Sequence, residues 1–122
     1  MRILILDDLE IRHSAYKNIY VNHDLAHAYT YTQFATYLEQ GIWDYIHLDH
    51  DLGSYENPDS YIDGFGISRE YTGQDAAKLV CQLAYKPKVV VHFINPVGAN
   101  QIKAILQDYE VIMEPFNKVI GW

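Results

Sequence analysis

The chain has 122 residues, a length that suits one domain built around a single core. Its apolar fraction of 49% with 20% charged residues is typical of a folded protein and excludes general disorder. The 9 basic and 16 acidic side chains give a net charge of −7, which opposes broad electrostatic binding to duplex nucleic acid. A small phosphorylated ligand held locally through a metal ion is compatible with this charge.

Cysteine content and hydropathy limit the cellular compartment. The single cysteine, Cys81, excludes an internal disulfide and a multi-cysteine zinc site, and its apolar neighbours predict a buried position. The apolar run at the N-terminus is too short for a signal peptide, and no apolar stretch approaches the ~20 residues that span a membrane. We therefore expect a cytoplasmic protein that does not cross or bind a membrane.

Hydrophobic periodicity predicts strands and helices in strict alternation. The predicted elements, in chain order, are a strand at 2–6, a helix at 9–20, a strand at 25–29, a helix between residues 30 and 41, a strand at 43–48, a helix from 72 to 87, a strand at 88–93, a helix around 99–106 and a strand at 109–113. Thr30 with Gln33, and Thr72 with Asp75, have the spacing of helix-capping residues. Residues 53–72 predict a long loop, and the last nine residues are too few for a full helix.

Alternating strands and helices predict a parallel sheet with right-handed crossovers and helices on both faces. We therefore predict one α/β domain over residues 1–122, a flavodoxin-like three-layer sandwich whose last helix is missing or truncated. Its five parallel strands would have the order 2-1-3-4-5. In that order the switch point lies between the first and third strands, where such folds bind ligands.

Acidic residues follow both strands that flank the switch point. Asp7 and Asp8 come after the first strand, and Asp49 and Asp51 come after the third. Carboxylates so close together repel and raise one another's pKa, which a bound cation relieves. Oxygen ligands suit Mg²⁺, Ca²⁺ or Mn²⁺, and Mg²⁺ commonly combines carboxylates with a substrate phosphate. The alternative for any single aspartate is a helix N-cap, but two acidic pairs at neighbouring strand ends favour a cation site.

Polar residues near the same strand ends are candidates for proton transfer and phosphate binding. His92, near the end of the fourth strand, and His50 can exchange a proton near neutral pH. Asn95 can orient a phosphate oxygen, and the helix that starts near Gly98 offers free backbone N–H groups. The alternative for His92 is an ordinary strand residue, and His47 is assigned a structural role. The other histidines carry no signal beyond ordinary surface or cap positions: His13, His23 and His27.

These segments resemble a response-regulator receiver domain over nearly the whole chain. The similarity lies in Ile3-Leu4-Ile5-Leu6-Asp7-Asp8 followed by Glu10 and Arg12, in Leu48-Asp49, and in Glu114-Pro115-Phe116. The resemblance implies a receiver-like fold in which Asp7, Asp8 and Asp49 bind Mg²⁺ and Asp49 accepts a phosphoryl group. Two departures oppose conventional phosphorelay signalling: Phe93 lies where receivers carry serine or threonine, and Glu114 replaces their lysine.

A divergent branch, the cyclic-phosphate-processing receiver domains, is more similar. The shared motifs are Leu48-Asp49-His50-Asp51-Leu52-Gly53, Thr72-Gly73, and His92 with Asn95-Pro96-Val97-Gly98. This resemblance implies activity on cyclic phosphates of nucleotides or RNA ends.

The leading hypothesis is a metal-dependent phosphoesterase that acts on a cyclic nucleotide or on a 2′,3′-cyclic phosphate at an RNA end. Its cofactor would be Mg²⁺ or Mn²⁺, and an oligomer is compatible with the sequence. Residues are assigned as metal ligands (Asp7, Asp8, Asp49), as catalytic groups (Asp51, His92, His50) and as phosphate-binding groups (Asn95, Gly98). The alternative is a non-catalytic pseudo-receiver, or a module that binds a phosphate or cyclic nucleotide without phosphorelay activity.

Overall fold

The structure, a computed structural model, describes residues 1–49, 60–62, 64–93 and 96–115. The strands are β1 (Arg2–Leu6), β2 (Asp24–Ala28), β3 (Tyr45–Asp49), β4 (Ser60–Ile62), β5 (Ser68–Glu70), β6 (Lys88–Phe93) and β7 (Val111–Pro115). The helices are α1 (Glu10–Ile19), α2 (Tyr31–Leu38), α3 (Gly73–Val80) and α4 (Pro96–Ile105). Within these ranges no helix has the length and apolar character that crossing a membrane requires.

Five of the strands form one parallel sheet in the order β2-β1-β3-β6-β7. When only the strands of this sheet are counted, this is the predicted order 2-1-3-4-5, and the flavodoxin-like fold class is confirmed. The labels differ because a separate hairpin, β4–β5, comes between β3 and β6 along the chain. β1 and β3 are direct neighbours with Leu6 opposite Leu48, so the residues that end these two strands share one edge of the sheet.

Apolar side chains cover both faces of the sheet, as the continuous apolar runs predict. Alternate residues of a strand point to opposite faces. Ile3 and Ile5 therefore pack with Tyr16 of α1 on one face. Leu4 and Leu6 join the larger cluster on the other face, which includes buried residues of α2, α3 and α4.

Side-chain caps fix where two helices begin at the carboxyl edge of the sheet. The Thr30 side chain accepts a hydrogen bond from the backbone N–H of Gln33, and the Gln33 side chain accepts one from the N–H of Tyr29. Thr72 and Asp75 form a complete capping box at the start of α3. Both predicted caps are present, with Gln33 reaching one residue farther back than a capping box requires.

The prediction of one long loop over residues 53–72 is wrong in part. Three-residue strands β4 and β5 pair in antiparallel register, with Ile62 opposite Ser68. Gly66, at a φ of +78°, supplies the left-handed conformation that the connecting turn needs. The sequence does not predict this hairpin, because each strand is too short to produce a recognisable alternation. The rest of the predicted loop, residues 53–59 and 63, lies outside the described residues.

Other boundaries also need correction. Helix α4 begins at Pro96 rather than near Gly98, because proline suits the first helical position, where its missing N–H is not needed. β7 begins at Val111 rather than at Tyr109. Cys81 is exposed, not buried, because α3 ends one residue before it. The prediction of a truncated last helix concerns residues 116–122, which lie outside the described residues.

Candidate functional site

Three carboxylates meet at the carboxyl edge of β1 and β3. Asp7 directly follows β1, and Asp49 is the last residue of β3. One carboxylate oxygen from each of Asp7, Asp8 and Asp49 lies within 4.8 Å of the others. Asp7 and Asp49 are 1% and 2% exposed, whereas Asp8 is half-buried. A donor set of three carboxylate oxygens is one that Mg²⁺ or Mn²⁺ accepts, so this cluster could hold a metal ion.

The N-cap alternative does not account for the acidic pair after β1. Leu9 is the N-cap of α1, and no side chain bonds at that cap. The Asp7 carboxylate instead accepts a hydrogen bond from the Leu9 N–H, at 3.0 Å. This bond fixes the Asp7 side chain at the start of α1.

A buried guanidinium joins the two buried aspartates. The Nη1 atom of Arg12 lies 3.3 Å from Asp7 Oδ1 and 3.3 Å from Asp49 Oδ2. Arg12 is 5% exposed, and it is on the face of α1 that packs on the sheet. A single nitrogen therefore contacts carboxylates from two strands. From the sequence, Arg12 belongs to the helix pattern and to the family motif but has no predicted role in the site.

Burial outweighs this positive charge at Asp7. Burial raises the pKa of Asp7 to about 7, although the nearby Arg12 guanidinium and the Leu9 N–H bond lower it. The negative charge of Asp8 raises this pKa further. Asp7 can therefore take up a proton near neutral pH when no metal ion is bound beside it.

His92 lies beside the acidic cluster and is joined to a chain of buried rings. It is in register with Asp49 on one side and with Glu114 on the other, so the three side chains share a face of the sheet. His92 Nε2 is 2.7 Å from His47 Nδ1, and His47 Nε2 is 2.9 Å from the Tyr20 hydroxyl. This chain of hydrogen bonds runs from the site to the C-terminal end of α1.

Both imidazoles are neutral in the folded protein. Burial lowers the pKa of His47 to about 3. Burial, with smaller contributions from His47 and Arg12, holds the pKa of His92 well below its usual value. His92 is 1% exposed, so the uncharged ring is its form near neutral pH, and burial weakens it as a base.

A second histidine pair joins His13 of α1 to His27 of β2. The sequence predicts no functional role for either residue. His13 Nε2 bonds to the Asp7 carbonyl oxygen at 2.8 Å, and His13 Nδ1 is 2.7 Å from His27 Nδ1. His13 is fully buried, and burial lowers its pKa to about 4. Because a carbonyl only accepts, Nε2 of neutral His13 is the donor and its Nδ1 accepts from His27. The pair supports the backbone of Asp7, and the prediction that His13 is an ordinary surface or cap residue is wrong.

The Tyr16 hydroxyl is a buried polar group left without a hydrogen-bond partner among the described residues. Its ring packs against both histidines of the chain, with centroids 4.9 Å from His47 and 5.2 Å from His92. Burial, and then the charge of Asp7, raise the pKa of this hydroxyl above its usual range. Tyr16 is therefore an uncharged, buried residue that packs against the two histidines.

The remaining predicted site residues divide into two groups. Gly98 is buried, as the third residue of α4, so its N–H belongs to the first helical turn. The other three lie outside the described residues: His50, Asp51 and Asn95. The structure thus brings Asp7, Asp8 and Asp49 together, with His92 in register beside Asp49.

Solved response-regulator structures share this fold. One from Burkholderia pseudomallei, with a phosphorylated aspartic acid, a calcium ion and citrate, has a TM-score of 0.69 at 13% identity; the match covers 98% of this chain and 62% of that one. This chain therefore spans less than two thirds of that protein's length. A CheY-like receiver domain from Methylobacillus flagellatus gives 0.65 at 13% identity, over 93% of this chain and 85% of that one. The Mn²⁺-bound form of response regulator Rcp1 gives 0.66 at 13% identity, over 98% and 89%.

The fold therefore defines a receiver-like domain. Residues 2–108 match the family described as the cyclic-phosphate processing receiver domain, and the chain belongs to that family. The resemblance drawn from the motifs is confirmed. No curated protein sequence matches the chain.

Proposed function

We propose that this domain is a divalent-metal-dependent phosphoesterase that opens a cyclic phosphate, either of a cyclic nucleotide or of an RNA end. The observation that carries the proposal is the convergence of Asp7, Asp8 and Asp49 in a member of a cyclic-phosphate-processing family. A cytoplasmic location is part of this proposal.

Asp7, Asp8 and Asp49 would hold Mg²⁺ or Mn²⁺. Such an ion, when bound, would offset charge on the phosphate oxygens and lower the pKa of a coordinated water. Two observations support this assignment: the carboxylate oxygens are close enough to share an ion, and the similar fold of Rcp1 has been solved in an Mn²⁺-bound form. Cation binding would also keep Asp7 ionised, against the effect of its burial.

Ring opening adds water to the phosphorus and breaks one of the two ester bonds of the ring. A proton must then reach the released alkoxide oxygen, and the product is a phosphomonoester with a free hydroxyl. His92, neutral and in register with Asp49, would take the proton from the attacking water and return it to the leaving oxygen. His50 and Asp51 remain candidates for the same role on sequence grounds.

The first turn of α4 would bind the phosphate. The Gly98 N–H lies in the first turn of that helix, where backbone donors and the helix dipole favour an anion. Asn95 directly precedes Pro96 in the chain and would orient the same phosphate. Helix α4 follows β6, so this turn is at the edge of the sheet where the carboxylates meet.

A non-catalytic binding module is the second candidate, and Arg12 is the observation that favours it. Its guanidinium already bridges Asp7 and Asp49, so the cluster is partly neutralised before any metal arrives. A domain of this kind would bind a phosphorylated ligand without changing it.

The phosphoesterase and the non-catalytic binding module differ in whether the protein converts its ligand to a product. Purified protein with Mg²⁺ or Mn²⁺ is incubated with a panel of 2′,3′-cyclic and 3′,5′-cyclic nucleotides and an RNA with a 2′,3′-cyclic phosphate end. We expect metal-dependent formation of a phosphomonoester from at least one compound, lost in Asp49→Asn and retained in Asp108→Asn, which alters an exposed aspartate. If no compound is converted and ligand binding survives Asp49→Asn, the enzymatic proposal is wrong.

A further inference from the structure

Helix α1 supplies the site with a fixed positive charge. Arg12 is 5% exposed, and its Nη1 atom is within 3.3 Å of a carboxylate oxygen on both Asp7 and Asp49. Burying a guanidinium is unfavourable unless carboxylates compensate it. The position of α1 on the sheet therefore determines where this charge lies.

A negative charge lies on the side of His92 that is away from the carboxylate cluster. Glu114 of β7 is in register with His92, one strand farther from the carboxylate cluster. Lys17, the other basic residue of α1, is exposed in the last turn of the helix, away from the edge where the carboxylates meet. Arg12 is thus a cation in direct contact with the cluster, at Asp7 and at Asp49.

We propose that Arg12 is an anion-binding residue, which donates hydrogen bonds to the phosphate of the ligand while the carboxylates hold a divalent ion. This inference rests on the proposed function. Three ionised carboxylates exceed the charge of one divalent ion, so an approaching phosphate would meet a net negative site. The guanidinium removes that excess. Its five N–H donors allow it to keep a carboxylate contact and bond a phosphate oxygen as well.

Phosphate binding to the metal-loaded protein tests this role without requiring turnover. The Kd for Mn²⁺ is measured first by electron paramagnetic resonance. Inorganic phosphate is then titrated at saturating Mn²⁺ and followed by broadening of its ³¹P resonance. The variants are Arg12→Gln, which removes the charge, and Arg12→Lys, which keeps it; Lys17→Gln is the matched control on the exposed face of α1.

We expect Arg12→Gln to bind phosphate at least about tenfold more weakly than the natural protein, while Lys17→Gln stays within about threefold. Arg12→Lys should lie between the two, because it keeps the charge but loses the planar set of five donors. The Mn²⁺ affinity should change less than the phosphate affinity. Equal phosphate binding by Arg12→Gln and the natural protein would overturn the inference. Equal losses in Arg12→Gln and Arg12→Lys, or loss of Mn²⁺ binding in Arg12→Gln, would also overturn it, because Arg12 would then only assemble the carboxylates.

The same measurements distinguish failure of the proposed phosphoesterase activity from failure of the inference about Arg12. A natural protein that binds Mn²⁺ and phosphate but converts no cyclic phosphate contradicts the phosphoesterase and leaves the role of Arg12 intact. A natural protein that binds no Mn²⁺ contradicts both.

Discussion

His47 Nδ1 and His92 Nε2 lie 2.7 Å apart, on the neighbouring strands β3 and β6. One of the two nitrogens must donate a proton to the other, and burial keeps both rings neutral. The Tyr20 hydroxyl, 2.9 Å from His47 Nε2, extends this chain of hydrogen bonds. The hydrogen-bonding state of His92, beside Asp49, is therefore tied to that of Tyr20 at the far end of α1.

These buried histidines should make the metal-free fold sensitive to acid. The folded pKa values of His13 and His47 are about 4 and about 3, whereas an unfolded histidine has a pKa of about 6.5. Between pH 6.5 and 4 the unfolded chain binds these protons and the folded chain does not, so stability falls as pH falls. Each such histidine contributes up to about 1.4 kcal/mol per pH unit in this window.

Asp7 acts in the opposite direction, because its pKa is raised to about 7. Its protonation favours the folded state at low pH, and that contribution is lost as pH rises towards 7. Since at least two histidines oppose one aspartate, the net free energy of unfolding should fall between pH 6.5 and 4. Urea unfolding at pH 7, 6, 5 and 4.5 with a chelator measures it, and a constant or rising free energy over that range would be inconsistent with the buried, neutral histidines.

Replacing Asp7 should separate stability from metal binding. At pH 8 without metal, Asp7→Asn removes a buried charge that the fold disfavours, so the free energy of unfolding should rise by about 1–3 kcal/mol. The same variant should lose the stabilisation that Mn²⁺ gives the natural protein. Urea unfolding with chelator and with Mn²⁺ checks both effects. Asp108→Asn is the control, and a destabilised Asp7→Asn that still responds to Mn²⁺ would contradict the account.

Tyr16 of α1 and Tyr20, the C-cap residue of the same helix, allow two matched hydroxyl deletions. The Tyr16 hydroxyl is buried and without a partner among the described residues, so Tyr16→Phe should leave stability unchanged or raise it by about 1 kcal/mol. The Tyr20 hydroxyl bonds to buried His47, so Tyr20→Phe should lower stability by about 1 kcal/mol. Chemical denaturation at pH 7 measures both. The reverse order would show that the hydroxyl contacts are wrongly assigned.

The sequence predicts the sheet well because parallel strands are encoded by local apolar runs. The run Val89-Val90-Val91 predicts β6 at its observed bounds, and the spacing of Thr72 and Asp75 predicts the start of α3. The convergence of Asp7, Asp8 and Asp49 follows from the strand order alone, because residues that end neighbouring parallel strands share one edge. Strands of three residues, as in β4 and β5, carry too little pattern to be recognised.

Contacts made across the face of the sheet were not predictable from spacing. Arg12 had the apolar-stripe position of a helix residue, and its contact with Asp49 depends on how α1 lies over β1 and β3. His47 and His92 are far apart in sequence, and only the β3–β6 register brings them within hydrogen-bonding distance. Their low pKa values are a consequence of burial, which the sequence does not quantify.

The central claim is that the protein hydrolyses a cyclic phosphate with the help of a metal ion that Asp49 helps to hold. Hydrolysis in ¹⁸O-labelled water tests this claim most directly. A 2′,3′-cyclic nucleotide is incubated with Mn²⁺ and either the natural protein or Asp49→Asn, and the product is observed by ³¹P NMR. We predict a phosphomonoester that carries one ¹⁸O atom per turnover, formed at least about 100-fold more slowly by Asp49→Asn. Monoester formed at the same rate by both proteins would contradict the account, as would its absence for every cyclic phosphate tried.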